Sequence, residues 1–294
     1  MFRGSWVALI TPMTMQGHID YPGLQRLVDF HLENGTVGLV LMGTTGEAAT
    51  ISFDEQLDVI RSVIAQVKGR IALVAGNGAN DTATAVAKTK VLTKLAIDGF
   101  LTVTPYYNKP TQKGLELHYQ AVAAATDKAV LLYNVPGRTG VDMLPETVAK
   151  LATVKNIVGI KEATGSMSRL AELKQKCPAN FLLLSGDDAS AAEFMLQGGQ
   201  GVISVTTNVA PKAMADLCCC ALEADAPGTY RIDATLQALH RDLFIESNPI
   251  PTKWALKRMG LIDSDMMRLP LTQLEPIHYS VIEQALSQAG IALS

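Results

Sequence analysis

Lys161 stands at the end of an apolar run, in the stretch IVGIKEATG at 157–165. An amine in such a place has two fates. It reaches outward to water on its aliphatic stem, or it is enclosed. Enclosure disfavours the ammonium and leaves an amine able to attack a carbonyl. Side chains alternate along a strand. Ile157, Gly159 and Lys161 are therefore expected on one face, with Gly159 leaving room beside the amine, and Val158, Ile160 and Glu162 on the other. Tyr133 is the fifth residue of the preceding run, AVLLYNV, as Lys161 is of its own. Adjacent strands would bring phenol and amine to similar depth, which suits proton transfer; the alternative is a core tyrosine. Thr44 and Thr45, between Gly43 and Gly46, offer hydroxyls and backbone N–H groups to a small carboxylate, or form an ordinary tight turn. Arg138, after Pro-Gly in YNVPGRTG, can fork onto a second carboxylate or lie solvated. Together these residues point to Schiff-base chemistry on a small keto acid, without identifying it.

Such residues need a frame that gathers them. Eight apolar, β-branched runs recur, at 5–13, 37–43, 71–78, 99–105, 129–135, 157–163, 181–186 and 201–206. They lack the alternation of a one-sided sheet and so predict strands covered on both faces. Helical spacing fills the gaps. Leu24, Leu27, Val28 and the His31/Leu32 pair share one side of 21–34, Ser52 to Glu55 forms a capping box, Asn80-Asp81 opens a third helix and Leu144-Pro145-Glu146 another. Gly35, Gly69 and Gly99 stand where helices end or strands begin. Eight βα units in series predict an α/β fold, a (β/α)8 TIM barrel, over residues 1–224. A doubly wound sheet would want a Gly-rich fingerprint after its first strand, and SWVALITPM has none. Residues 225–294 predict a C-terminal helical extension. In such a barrel the chemistry sits at the C-terminal ends of the strands, which is where Lys161, Tyr133, Thr44, Thr45 and Arg138 fall.

Other chemistries lack support. None of the five histidines (His18, His31, His118, His240, His278) falls at a strand end, so neither a Ser-His-Asp triad nor a His-ligated metal is expected. Asp187-Asp188 could bind a hard cation, but more simply caps the helix in ASAAEFMLQGG. GNGAND does not complete a dinucleotide fingerprint, and no Walker A sequence occurs. Cys218, Cys219 and Cys220 are adjacent on a predicted helix, point in three directions, and read as small buried hydrophobes rather than ligands. The 294 residues are 48% hydrophobic and 18% charged, with a net charge of −3. That supplies a large core and gives no electrostatic case for nucleic acid or an anionic membrane. No signal peptide or membrane span is evident, and reduced cysteines fit a cytoplasmic protein.

The blocks ALITPM, GTTGE, TPYYNKP, YNVPGRTG, GIKEATG, SGDD and NPIPTKWAL, in this order along essentially the whole chain, resemble the dihydrodipicolinate synthases. These are pyruvate-dependent class I aldolases of the N-acetylneuraminate lyase superfamily. The resemblance implies a Schiff base between Lys161 and pyruvate. It implies a proton relay of Tyr133, Thr44 and Tyr107, with Tyr107 reaching in from a neighbouring subunit. Thr45 would hold the pyruvate carboxylate, Gly186 and Ile203 would line the pocket, and Arg138 would grip aspartate-4-semialdehyde. It implies no metal or organic cofactor, and a homotetramer built from tight dimers. A sialic acid or sugar-acid aldolase of the superfamily is the alternative, but a polyol substrate does not need the arginine of YNVPGRTG. A non-catalytic relative would have lost one of Lys161, Tyr133, Thr44 or Arg138. The sequence departs from the family at the site where inhibited members bind lysine. Ala49, Asn80 and Tyr106 match it, while Ala48, Phe53, Gln56 and Thr84 replace Ser, His, His and Glu. Without an acid at 84, weak or absent inhibition by lysine is expected.

Overall fold

The protein is described by a computed structural model covering residues 2–293. All eight predicted strands form: β1 (Gly4–Ala8), β2 (Gly38–Leu41), β3 (Ala72–Gly76), β4 (Gly99–Val103), β5 (Ala129–Asn134), β6 (Ile157–Glu162), β7 (Leu182–Ser185) and β8 (Gly201–Ser204). Each pairs in parallel with the next, and β8 returns to β1, closing the barrel. Between them run α1 (Tyr21–Glu33), α2 (Phe53–Val67), α3 (Thr82–Leu92), α4 (Gln112–Ala124), α5 (Pro136–Thr139), α6 (Pro145–Leu151), α7 (Met167–Lys176) and α8 (Ala191–Leu196). Helix α9 (Pro211–Leu222) follows β8. Asp20, Ser52, Asp81, Thr111 and Ser166 cap the helices they precede, and Ser52 with Glu55 completes the capping box.

The chain buries two apolar layers. Side chains facing the helices form the larger core, with Leu39, Phe100, Leu132, Ile160 and Val202 among them. Side chains facing inward fill the barrel, including Trp6, Leu101, Leu131, Leu184 and Ile203, and Phe2 stacks on Trp6 with ring centroids 5.4 Å apart. Gly38 is glycine because a Cβ there would lie 2.3 Å from the Trp6 ring. The interior is thus packed.

One expectation about facing is overturned. The register between β5 and β6 slips: Val130 pairs with Ile157 but Leu131 pairs with Gly159. This irregularity puts Ile157 with the outer core and Val158 against the inner one, the reverse of simple alternation. Beyond the slip the alternation holds. Ile160 packs outward, and Tyr133 sits directly opposite Lys161.

Three more helices follow, α10 (Ala226–Asp242), α11 (Ile250–Arg258) and α12 (Tyr279–Gln288). The turn that divides them from α9 contains Ala224, in the left-handed region at φ +59°. Trp254 of α11 stacks on Tyr279 of α12 at 4.7 Å. No helix among the described residues is long and apolar enough to cross a membrane.

Candidate active site

Lys161 is buried, yet no carboxylate pairs with it among the described residues. Its Nζ lies over the Tyr133 ring, 4.4 Å from the centroid, an amine held against a π face. Gly186 makes the room for this side chain. A Cβ at Gly186 would sit 2.8 Å from Lys161 Cε and 2.9 Å from Cγ. Gly159, expected to provide that space, is instead required by the neighbouring strand, because its Cβ would meet Leu182 at 2.6 Å.

Lys161 and Tyr133 line a cavity of about 130 Å³ together with Thr44, Thr45, Arg138, Gly186 and Asn248. Thr44 and Thr45 come from the turn after β2. Neither of their backbone N–H groups donates to another described residue. Arg138 lies on α5, a single turn opened by Pro136, and its guanidinium donates to the Asn248 carbonyl at 3.4 Å. Ile203 belongs to the inner core and does not line the cavity. Tyr107 is 88% exposed, away from its own cavity, with a left-handed backbone (φ +76°) and its N–H bonded to the Thr139 carbonyl at 3.2 Å.

Glu162 points outward, as expected of the residue after Lys161. It accepts from Asn134 Nδ2 at 3.1 Å and from the Thr164 N–H at 2.9 Å, and burial pushes its carboxyl above the usual range. Asp187 accepts from the N–H and hydroxyl of Ser190, just before α8, at 3.0 and 2.5 Å. Asp188 does not cap that helix. It accepts from the N–H groups of Val205 and Thr206, both at 2.9 Å, tying the ends of β7 and β8 together. Among the described residues no cluster of His, Cys, Asp and Glu is arranged to hold a metal ion. His31 lies in α1, His118 in α4 and His240 in α10, and the His240 ring meets the Thr206 hydroxyl just past β8 at 2.9 Å. Of the three adjacent cysteines only Cys218 is a buried small hydrophobe; Cys219 is exposed, because consecutive helical residues face different ways.

The sequence matches the Dihydrodipicolinate synthetase family over residues 1–289. The chain belongs to this family. It is 56% identical, over 99% of its length and all of the relative's, to the 4-hydroxy-tetrahydrodipicolinate synthase of Methylococcus capsulatus. It is 53% identical to that of Pseudomonas aeruginosa, over 99% of each chain. The crystal structure of the chloride-inhibited dihydrodipicolinate synthase of Acinetobacter baumannii complexed with pyruvate superposes with a TM-score of 0.97 at 47% identity, covering 99% of this chain and 100% of that one. The synthase of Cyanidioschyzon merolae with lysine bound superposes at 0.95 with 36% identity, covering 99% of each chain.

Two contributions of the C-terminal helices were not read from the sequence of this family member. Asn248, just before α11, is buried, and its Nδ2 donates to Thr45 Oγ1 at 2.9 Å. Lys253 of α11 donates to Glu47 Oε1 at 2.8 Å, with both side chains fully enclosed. Burial pushes the Glu47 carboxyl up and the Lys253 ammonium down, and each charge opposes the shift of the other. The block NPIPTKWAL held both residues, but nothing local marks their partners.

The positions matching the family's lysine site lie in the loops that follow β2, β3 and β4. Ala49 is exposed, Asn80 is half-buried with its carbonyl accepting from Asn108 Nδ2 at 2.7 Å, and Tyr106 is partly exposed. Gln56 donates to the carbonyls of Ala48 and Ile51 at 3.0 and 2.8 Å. The Thr84 hydroxyl donates to Asp81 at 2.6 Å. These groups are engaged within the chain.

Proposed function

We propose that this chain is a lyase that condenses pyruvate with L-aspartate-4-semialdehyde, giving 4-hydroxy-tetrahydrodipicolinate for diaminopimelate and lysine biosynthesis. The observation that carries the reading is Lys161 Nζ held 4.4 Å over Tyr133 inside a cavity that has threonine hydroxyls and Arg138 in its lining.

Lys161 attacks the keto carbon of pyruvate, water leaves, and an iminium forms. Loss of a methyl proton gives the enamine, the iminium serving as electron sink, so the reaction calls for no further cofactor. The enamine carbon attacks the aldehyde carbon, whose oxygen takes up a proton. The amino group of the new chain then adds to the iminium carbon and displaces Lys161, closing the ring. Tyr133 and Thr44 carry protons in these steps. Tyr107 completes the relay from a second copy, in keeping with its exposure on its own chain. Thr45 holds the pyruvate carboxylate, Arg138 holds that of the semialdehyde, and Gly186 shapes the pocket. A homotetramer of tight dimers is the active form, in the cytoplasm. Pyruvate consumption should depend on added aspartate semialdehyde and travel with the oligomer in sedimentation. Consumption without the aldehyde, or an active monomer, contradicts the reading.

Lysine is a weak effector or none. Thr84 offers no charge to an ammonium, and Gln56 is committed to the loop backbone. Half-inhibition at sub-millimolar lysine in a steady-state assay would count against this.

A further inference from the structure

We propose that Asn248 is a positioning residue that fixes the polarity of the carboxylate-binding hydroxyl of Thr45; this rests on the function proposed above. A hydroxyl has one proton to give and lone pairs to accept with. Asn248 Nδ2 donates to Thr45 Oγ1 at 2.9 Å in a buried setting, so one of that oxygen's two lone pairs is engaged and its proton points elsewhere. The Thr45 hydroxyl donates to no described residue. Its proton is therefore left for a group in the cavity that Thr45 and Asn248 both line. A carboxylate only accepts, so a hydroxyl already set as a donor is matched to it before it arrives. An amide does this without bringing charge beside an anion.

The placement of Asn248 is itself held. Its backbone carbonyl receives Arg138 at 3.4 Å, so one residue meets both carboxylate-binding groups, the hydroxyl through its side chain and the guanidinium through its backbone. Five positions on, Lys253 reaches Glu47 at 2.8 Å and the Met266 carbonyl at 2.5 Å. The turn that carries Thr45 is thus gripped at Thr45 and again at Glu47 by one short segment of the helical extension. Glu47 is a non-glycine residue in the left-handed region (φ +57°), a conformation that persists when its surroundings enforce it. The extension thereby sets the geometry of pyruvate binding, although Lys161 and Tyr133 both come from the barrel.

The test uses the full chain and reads the pyruvate concentration that gives half-maximal borohydride-trapped adduct by intact mass. Asn248→Ala keeps the carbonyl that holds Arg138 and removes only the amide. It should raise that concentration about tenfold, as should Thr45→Val, one lost hydrogen bond of the stronger kind. The double variant should be less than about twofold worse than Thr45→Val alone, because Asn248 acts through that hydroxyl. Asn248→Asp is nearly isosteric, covers the case in which the alanine variant does not fold, and should raise the value at least as much. If either Asn248 variant stays within about twofold of the parent, or the two single effects multiply in the double variant, the inference is overturned. If the parent traps no adduct, the proposed function falls and the inference with it; an adduct in the parent with no response to Asn248 overturns the inference alone.

Discussion

A guanidinium held at a cavity by one carbonyl keeps most of its donors for a ligand. Arg138 has five N–H donors in a planar fork, and the Asn248 carbonyl uses one of them. A charge-assisted pair with a carboxylate is worth about 1.5–3 kcal/mol. Arg138→Ala should therefore raise the half-saturating semialdehyde concentration roughly ten- to a hundredfold. Trapping of pyruvate alone should change far less, and equal losses for both substrates would contradict the assignment. At this scale the sequence was informative where strands are regular. Equal position in two adjacent runs placed Tyr133 beside Lys161, and the register confirms that pairing. It misassigned Gly159, because which glycine a lysine leans on depends on the strand across the sheet. Gly186 is 25 positions from Lys161 in the chain, yet its Cα faces the lysine stem.

At the scale of elements, the β2–α2 turn and α11 are joined by a pair that charge alone makes precarious. Lys253 and Glu47 are both fully enclosed. Removing one partner strands the other without water, at a cost of about 3–5 kcal/mol. Lys253→Met should lower stability by roughly this amount in denaturant unfolding, and adding Glu47→Leu should recover most of it. If the double variant is no more stable than the single one, the pair is not the cause. The same scale shows where periodicity failed. The slip in β6 exchanged the facings of Ile157 and Val158, and no residue in IVGIKEATG announces it. The helix starts were legible, because Ser52, Asp81 and their partners lie within three residues of one another. Asp188 was not, since its partners lie just past the next strand, 17 and 18 residues away.

Across the whole molecule, buried ionisable groups tie stability to pH. Burial holds His31 neutral, with its pKa lowered from 6.5 to about 3. The unfolded chain takes up this proton as pH falls below about 6.5 while the folded chain does not, so stability declines from there toward pH 3. Burial lowers His118 as well, and its contribution has the same sign. Glu55, held down to about 2 by its bond to Arg268, contributes stability above about 4.5 that is lost as pH falls to 2. Between 6.5 and 4.5 the histidines lower stability as pH falls, while Glu47 and Glu162, whose carboxyls burial raises, titrate with the opposite sign. The histidine share of the unfolding free energy should fall in that window, by at most about 1.4 kcal/mol per pH unit for each site. His31→Gln should flatten the slope, and an unchanged slope would contradict the assignment. The molecule's architecture was legible as a rhythm of eight runs and the gaps between them. The contacts that complete the cavity were not, because Asn248 and Lys253 meet Thr45 and Glu47 across 203 and 206 residues.

Every step of the proposed chemistry passes through the amine of Lys161. Borohydride reduction in the presence of pyruvate, followed by peptide mass spectrometry, reads that amine directly. A reduced pyruvyl adduct is expected on Lys161 in the parent chain and none in Lys161→Ala. An adduct on another lysine, or no adduct at saturating pyruvate, would contradict it.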